Sequence, residues 1–318
     1  MKEPIVLPKF DLTRKRPQVL LLGNGLCRKY GNKSLDSILD DTIKKYNNTY
    51  LTNDIRQLSF PMQIVAASND HVDDVCRKLS AQMKKKDYYN QYLIDNYSLF
   101  LQYLNLPVDV ILTTNYSYEL EMAIDHNFIV HKDKYAVFSN GIPRSKNGTY
   151  RRESKYQLHS FYRMKIENQP KDIWHIHGEA SNFSSMVLGH YYYGNLLTRY
   201  KSEVDRSYRQ NVKNDRRTVI LSPTSWLDYF VFGDVYIIGF GYDMAEMDLW
   251  WLLNRKKREK QVKGKVYFFD ISNSEQIQRD IMLKNYDVQI QYIKNTGYDY
   301  YYKHATHMID RLIKSQTL

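Results

Sequence analysis

Short apolar runs, each ending abruptly in glycine or polar residues, recur along the chain. The first is "QVLLLGNG", residues 18–25, and others fall at 108–116 ("VDVILTTNY"), 127–131, 172–178, 185–189, 234–241, 265–272 and 288–293. Strands that are apolar on both faces belong in a sheet covered on both sides, and separated by helical stretches they predict an α/β fold. The expected architecture is Rossmann-like, a mostly parallel sheet with helices on both faces. Residues 35–104 carry a helical, polar-aromatic pattern and predict a helical insertion. Residues 141–169 read as an exposed loop or hairpin, and residues 191–232 as a second helical and loop insertion broken by "SPTS". The stretch "MAEMDLWWLLNRKKREK" reads as an amphipathic helix whose basic end suits the negative end of a helix dipole. Residues 1–17 form a polar, basic arm, and residues 18–318 are expected to make one elaborated domain.

Composition narrows the class. The 318 residues are 43% hydrophobic and 25% charged, values of a folded chain, and tyrosine is abundant at 29 residues. The opening residues lack the apolar stretch of a signal peptide and no later run approaches membrane-spanning length, so a soluble, cytoplasmic protein with no membrane partner is expected. The two cysteines, Cys27 and Cys76, exclude a disulfide framework and a four-cysteine zinc site. A net charge of +11 suggests an anionic partner without choosing among nucleic acid, surface or phosphorylated small molecule. The basic residues gather in Lys84–Lys86, Arg151–Arg152, Arg216–Arg217 and Arg255–Arg258, which read as solvated helix ends or loops.

Candidate chemistry lies at the carboxyl ends of the expected strands, where open parallel sheets bind ligands. Gly23-Asn24-Gly25 would let backbone amides approach a phosphate, or is a tight turn. Thr113-Thr114-Asn115-Tyr116 turns a buried strand polar; Asn115 offers a donor and an acceptor, or caps the strand with an Asx turn. His177-Gly178 and Gly239-Phe240-Gly241 end two further strands. In strand geometry His175 and His177 share one face, which permits a metal pair, a satisfied core pair, or a base beside a supporting residue. His126, His131 and His190 are no better than chance as a third ligand, and His304 and His307 read as surface residues.

The ordered set "LLGNGL", "LTTNYSYELE", "WHIHGE" with "MVLGHYYYG", and "YIIGFGYDMAEMDLW" resembles the sirtuin-like NAD hydrolases of bacterial anti-phage defence, over residues 18–293. The resemblance implies Asn115 and His177 as catalytic residues. It implies Gly23, Asn24, Gly25, Thr114, Tyr116, Gly178, Gly239, Gly241 and Asp270 around NAD, with Asp270 toward the adenosine ribose and no metal. Ser117 stands where many members carry Asp, so any role of that carboxylate is open or passes to Glu119. Two cysteines cannot build the zinc ribbon of deacetylating sirtuins, so NAD cleavage without protein deacetylation is implied.

That chemistry suits the residues. Nicotinamide leaves a pyridinium as a neutral molecule, so no general acid is needed; a histidine can take a proton and an asparagine can place the ribose or a water. The implied function is an NAD+ glycohydrolase that depletes NAD+ in abortive infection. It would be restrained by assembly, as a homo-oligomer or with a HerA-type ATPase or other defence partner, through which nucleic acid could be engaged. Alternative expectations are an abortive-infection protein of the AbiH type without NAD turnover, and a nucleic-acid-binding module using the positive charge and tyrosines.

Overall fold

A computed structural model describes residues 4–26, 35–46, 52–84, 97–130, 134–137, 155–215, 218–259, 264–271, 276–294 and 297–316. Eleven strands are present among these: β1 (Phe10–Asp11), β2 (Gln18–Leu22), β3 (Val110–Thr113), β4 (Lys134–Ala136), β5 (Ser160–Ile166), β6 (Gln169–His175), β7 (Val212–Asp215), β8 (Thr218–Leu221), β9 (Asp234–Ile238), β10 (Val266–Ile271) and β11 (Val288–Ile293). The helices are α1 (Leu35–Tyr46), α2 (Thr52–Arg56), α3 (Phe60–Ser68), α4 (Val72–Met83), α5 (Tyr97–Leu104), α6 (Glu119–Ile124), α7 (His190–Gln210), α8 (Trp226–Phe232), α9 (Met247–Lys257), α10 (Ile277–Asn285) and α11 (Tyr298–Gln316).

The expected mostly parallel sheet is present. Among the described residues its eight strands run in the order β11-β10-β9-β2-β3-β6-β5-β4, parallel from β11 to β6 and antiparallel at the β5 and β4 edge. The period of two sends alternate residues of each strand to opposite faces. Val19, Leu21, Val110, Leu112, Val235 and Ile237 meet a core built with α7, α8 and α9. Leu20, Leu22, Ile111, Tyr236 and Ile238 meet another built with α5, α6 and α11. Both faces being covered is what makes these runs read as uninterrupted apolar sequence. A third cluster joins α1 to α4 with Tyr118, Tyr162, Met186 and Leu188, so this helical insertion packs beside the carboxyl ends of the strands.

Several expectations fail locally. Residues 127–130 form turns rather than a strand, with His131 outside the described residues, and the nearby strand is β4. Residues 185–189 are not a strand either; they are held by single bonds such as the Val187 amide to the His177 carbonyl at 2.9 Å. The expected loop or hairpin after residue 141 is described from 155 onward, where β5 and β6 form a hairpin inside the main sheet. Residues 191–232 are helical at both ends only. Between them β7 and β8 pair with each other, and β8 with β1 of the N-terminal arm, in a three-stranded sheet. Leu7, Phe10 and Leu12 anchor that arm in the core, which its polar and basic composition concealed.

Of the basic runs, Arg151–Arg152, Arg216–Arg217 and Lys85–Lys86 lie outside the described residues. Lys256 departs from the solvated reading, being 2% exposed. Its ammonium donates to the carbonyls of Phe230 at 2.8 Å and Val231 at 3.1 Å, and to that of Gly233, closing the carboxyl end of α8. Cys76 is buried and its thiol is pushed up to about 12, chiefly by burial, which suits a core residue; Cys27 lies outside the described residues. No helix among the described residues is long and apolar enough to cross a membrane.

The chain moves from β2 to β3 and β6 on one side, then returns to β9 and proceeds outward to β10 and β11 on the other. The sheet therefore has its topological switch between β2 and β9, where the crevice of an open parallel sheet opens. The two turns there touch through backbone. The Gly23 amide donates to the Ile238 carbonyl at 2.9 Å and the Gly25 amide to the Gly239 carbonyl at 2.7 Å. A Cβ on Gly23 would lie 2.3 Å from the Gly239 oxygen. Gly23→Ala is expected to destabilise the protein by about 2 kcal/mol or more, read by chemical denaturation, because backbone must move to admit the methyl; an unchanged midpoint would contradict this packing.

Candidate active site

A cleft of about 910 Å³ opens at this carboxyl edge, within the usual size range of small-molecule sites. It is lined by Asn24, Gly25, Thr114, Asn115, Tyr116, His177, Gly239, Gly241 and Asp270, which are all the sequence-derived site residues except Gly23 and Gly178. Gly23 and Gly178 serve the backbone instead. At Gly178, φ is +95° and a Cβ would meet the Ser185 carbonyl oxygen at 2.2 Å, so glycine is required for the turn behind His177. The amides of Gly23 and Gly25 are spent on the neighbouring turn, and the glycines act there by permitting close backbone approach. Residues 27–34, which follow the Gly23–Gly25 turn, lie outside the described residues.

The two histidines part company because β6 ends at His175 and the chain then turns, the Gly178 amide donating to the His175 carbonyl at 3.1 Å. His175 is 2% exposed. Its Nδ1 donates to the Asn115 carbonyl at 2.6 Å, since a carbonyl can only accept, and its Nε2 meets Glu121 Oε1 at 2.9 Å. It thus holds the Asn115 backbone from beneath. His177 turns to α9, where its Nε2 lies 2.9 Å from Asp248 Oδ2, and its ring meets the Tyr193 ring edge-on at 5.9 Å. Burial opposes charge on both rings, but Glu121 facing His175 and Asp248 facing His177 outweigh it and raise both above the usual histidine value. The pairing of the two imidazoles as metal ligands does not form.

Around His177 the sequence reading missed Glu246 and Asp248. Asp248 is fully buried, and Tyr200 and Tyr193 offer their hydroxyls to Asp248 and Glu246 at 3.5 and 3.1 Å. Glu246 is pushed up to about 7, first by burial and then by Asp248, against the opposing pull of His177. Acidic residues opening a helix are ordinarily read as complements to its dipole, which hid this pair; the available signal was that Asp248 interrupts the otherwise apolar start of "MDLWWLL". One ligand atom from each of His177, Glu246 and Asp248 lies within 4.8 Å of the others, a grouping compact enough for a cation. An ion bound there through Nε2 would have to displace the bond between His177 and Asp248. Of the other histidines considered, His126, His190, His304 and His307 are exposed.

Asn115 is 7% exposed and its backbone N–H donates to Thr113 Oγ1 at 3.1 Å, the side-chain turn that ends β3. The Thr114 amide prolongs the ladder to Leu22 at 3.4 Å, and the Tyr116 hydroxyl donates to the Val187 carbonyl at 2.8 Å. Ser117 also lines the cleft and donates to Glu119 at 2.5 Å. Glu119 itself lies behind it, 4% exposed.

Residues 109–231 match the family model of a SIR2-like domain. The SIR2-like span begins just before β3 and ends within α8, so it contains Asn115 and His177 and supports a sirtuin-like, NAD-related character for the half of the cleft they line. The turns at Gly23–Gly25 and Gly239–Gly241, with Asp248 and Asp270, lie outside the SIR2-like span and reach it through the sheet. Among the curated proteins, none matches the chain.

Behind the SIR2-like span's His177-Gly178 turn, Glu179 is fully buried. It accepts from Lys134, from Gln157 Nε2 at 2.9 Å, and from the hydroxyls of Tyr162 at 2.6 Å and Tyr118 at 3.1 Å. Its amide donates to Ser185 Oγ at 3.1 Å. A buried charge held this completely fixes the loop that aims His177.

Glu119 yields a pH-dependent expectation. Burial pushes its carboxyl up from 4.5 to about 7, although the Ser117 bond pulls the other way. A folded-state pKa above the unfolded one gives stability that is fully present below about 4.5 and lost as pH rises through about 7. Denaturation across that window should find wild type losing stability relative to Glu119→Gln; parallel curves would contradict the buried-acid assignment.

Proposed function

We propose that the protein cleaves the nicotinamide–ribose bond of NAD+, releasing nicotinamide and ADP-ribose. The observation that carries this reading is the convergence of Asn115 and His177 with the two glycine turns and Asp270 on one cleft at the switch of the sheet. The SIR2-like match over residues 109–231 supports the nucleotide class. The residues also fit an elongated dinucleotide. From Asp270 near the end of β10, through Gly239 and Gly25, to Asn115 and His177, they follow successive neighbouring strands, four intervals or about 19 Å at the usual spacing.

In this reading Asp248 accepts a hydrogen bond from the Nε2–H of His177, fixing the tautomer in which the Nδ1 lone pair takes a proton from water. The water oxygen bonds to the ribose carbon as the bond to nicotinamide breaks, and nicotinamide leaves with the bonding pair as a neutral molecule. The proton taken by His177 passes to solvent. Asp248 stabilises the imidazolium that forms, and Asn115, held by His175, places the ribose or the water. Depletion of NAD+ during phage infection is the proposed biological use, under restraint by a homo-oligomer or a separate partner such as a HerA-type ATPase.

Pure, activated protein incubated with NAD+ should release nicotinamide, and Asn115→Ala or His177→Ala should each lower the rate about 10²-fold or more; equal activity in wild type and variants would refute the assignment. Because His177 must be neutral to act as base, activity should rise with pH through its raised pKa, above 6.5. Asp248→Asn removes the charge that raises it, so the acidic limb should move to lower pH while the maximal rate falls. An acidic limb that stays in place would mean that another group controls it, Glu246 being the neighbour that titrates near 7.

A further inference from the structure

At the end of the cleft opposite His177, Asp270 belongs to a charge cluster. Its side chain is 24% exposed, its Oδ1 accepts from the Ile271 amide at 2.8 Å, and its Oδ2 accepts from Arg279 Nη2. Arg279 also lines the cleft yet is 7% exposed. Its Nε and Nη2 donate to Asp280 Oδ1 at 3.0 and 2.9 Å, and its Nη1 donates to the Gly241 carbonyl at 3.3 Å. Its guanidinium carbon lies 5.0 Å from the centre of the Phe268 ring. Four of the five N–H groups of Arg279 are therefore directed at protein acceptors: one from Nε, two from Nη2 and one from Nη1. Asp280 is engaged on its other oxygen by the Tyr292 hydroxyl.

Two carboxylates around one guanidinium give these three side chains a formal charge of −1. A ribose 2′-hydroxyl brings a donor and no charge, and a partly exposed carboxylate is suited to accept from it. A 2′-phosphate brings close to two negative charges and only acceptors, so it meets repulsion from Asp270 and a guanidinium already committed elsewhere. An arginine at such a place is the usual partner of a 2′-phosphate, but here the carboxylate in front of it holds that role shut.

We propose that the Asp270–Arg279 pair restricts the cleft to dinucleotides with a free adenosine 2′-hydroxyl, and that Asp270 keeps Arg279 from serving a 2′-phosphate. This specificity rests on the reading of the cleft as a dinucleotide site. Asp270 is a specificity residue and Arg279 its positioning partner, and removing the carboxylate releases Nη2 toward the ligand.

Titration calorimetry with ADP-ribose and 2′-phospho-ADP-ribose tests this, since neither contains the bond to nicotinamide and no turnover intervenes. Wild type is expected to bind ADP-ribose at least tenfold more tightly. In Asp270→Ala, and in Asp270→Asn, which preserves side-chain volume, the ratio should fall below threefold or invert. Adding Arg279→Gln to Asp270→Ala should abolish the gained affinity for the phosphorylated ligand. Circular dichroism establishes that each variant is folded. Equal binding by wild type, or a tenfold preference that persists in folded Asp270 variants, overturns the inference; if NAD+ is nevertheless cleaved, the cleavage reading survives alone. Binding of neither ligand by wild type overturns the inference, and a failure of activated wild type to release nicotinamide from NAD+ overturns the cleavage reading as well.

Discussion

The cleft depends on a contact between two pieces of backbone. Where β2 and β9 end, the Gly25 amide reaches the Gly239 carbonyl at 2.7 Å, with no room between the turns for a methyl group. That contact closes the floor at the strand switch, and the residues with chemistry are ranged on either side of it. On one side, β3 and β6 deliver Asn115 and the turn bearing His177; on the other, β10 delivers Asp270. Because the sheet is parallel from β11 to β6, these ends all emerge at one edge, which an antiparallel order would not allow.

The two buried imidazoles illustrate how little residue type says about role. Each faces a carboxylate at 2.9 Å, and each is raised above the ordinary histidine value. His175 has both nitrogens committed within the protein, one of them to the Asn115 backbone, and so is a fixture of the frame. His177 is committed through Nε2 and lines the cleft. The divergence comes from the end of β6 between them, since a strand continued through residue 177 would have left both rings on one face.

This is also where the sequence stopped being legible. Apolar runs located the parallel strands because burial on both faces leaves little else to encode, and the polar residues that interrupt them marked the cleft. The β7–β8 hairpin escaped notice because it is short and lies between helices, and β4 because it is a three-residue edge strand. Glu246, Asp248 and Arg279 were missed for a different reason. Their partners are remote in sequence or hidden behind helix-end patterns, and an acidic residue in a first helical turn has an ordinary explanation. Pairings such as His177 with Asp248, 71 residues apart, are created by the sheet order and have no local signature.

The Glu179 cluster has an implication for how such a chain diverges. Lys134, Gln157, Tyr118 and Tyr162 come from four separate segments, yet all four donate to one buried carboxylate. Loss of Glu179 would leave a buried ammonium without its counter-charge, and loss of Lys134 would leave the buried carboxylate without its own, so neither is a neutral first step. Natural variation at these positions should therefore come as concerted exchanges, a whole polar set replaced by an apolar one, while the exposed residues around the cleft mouth drift one at a time.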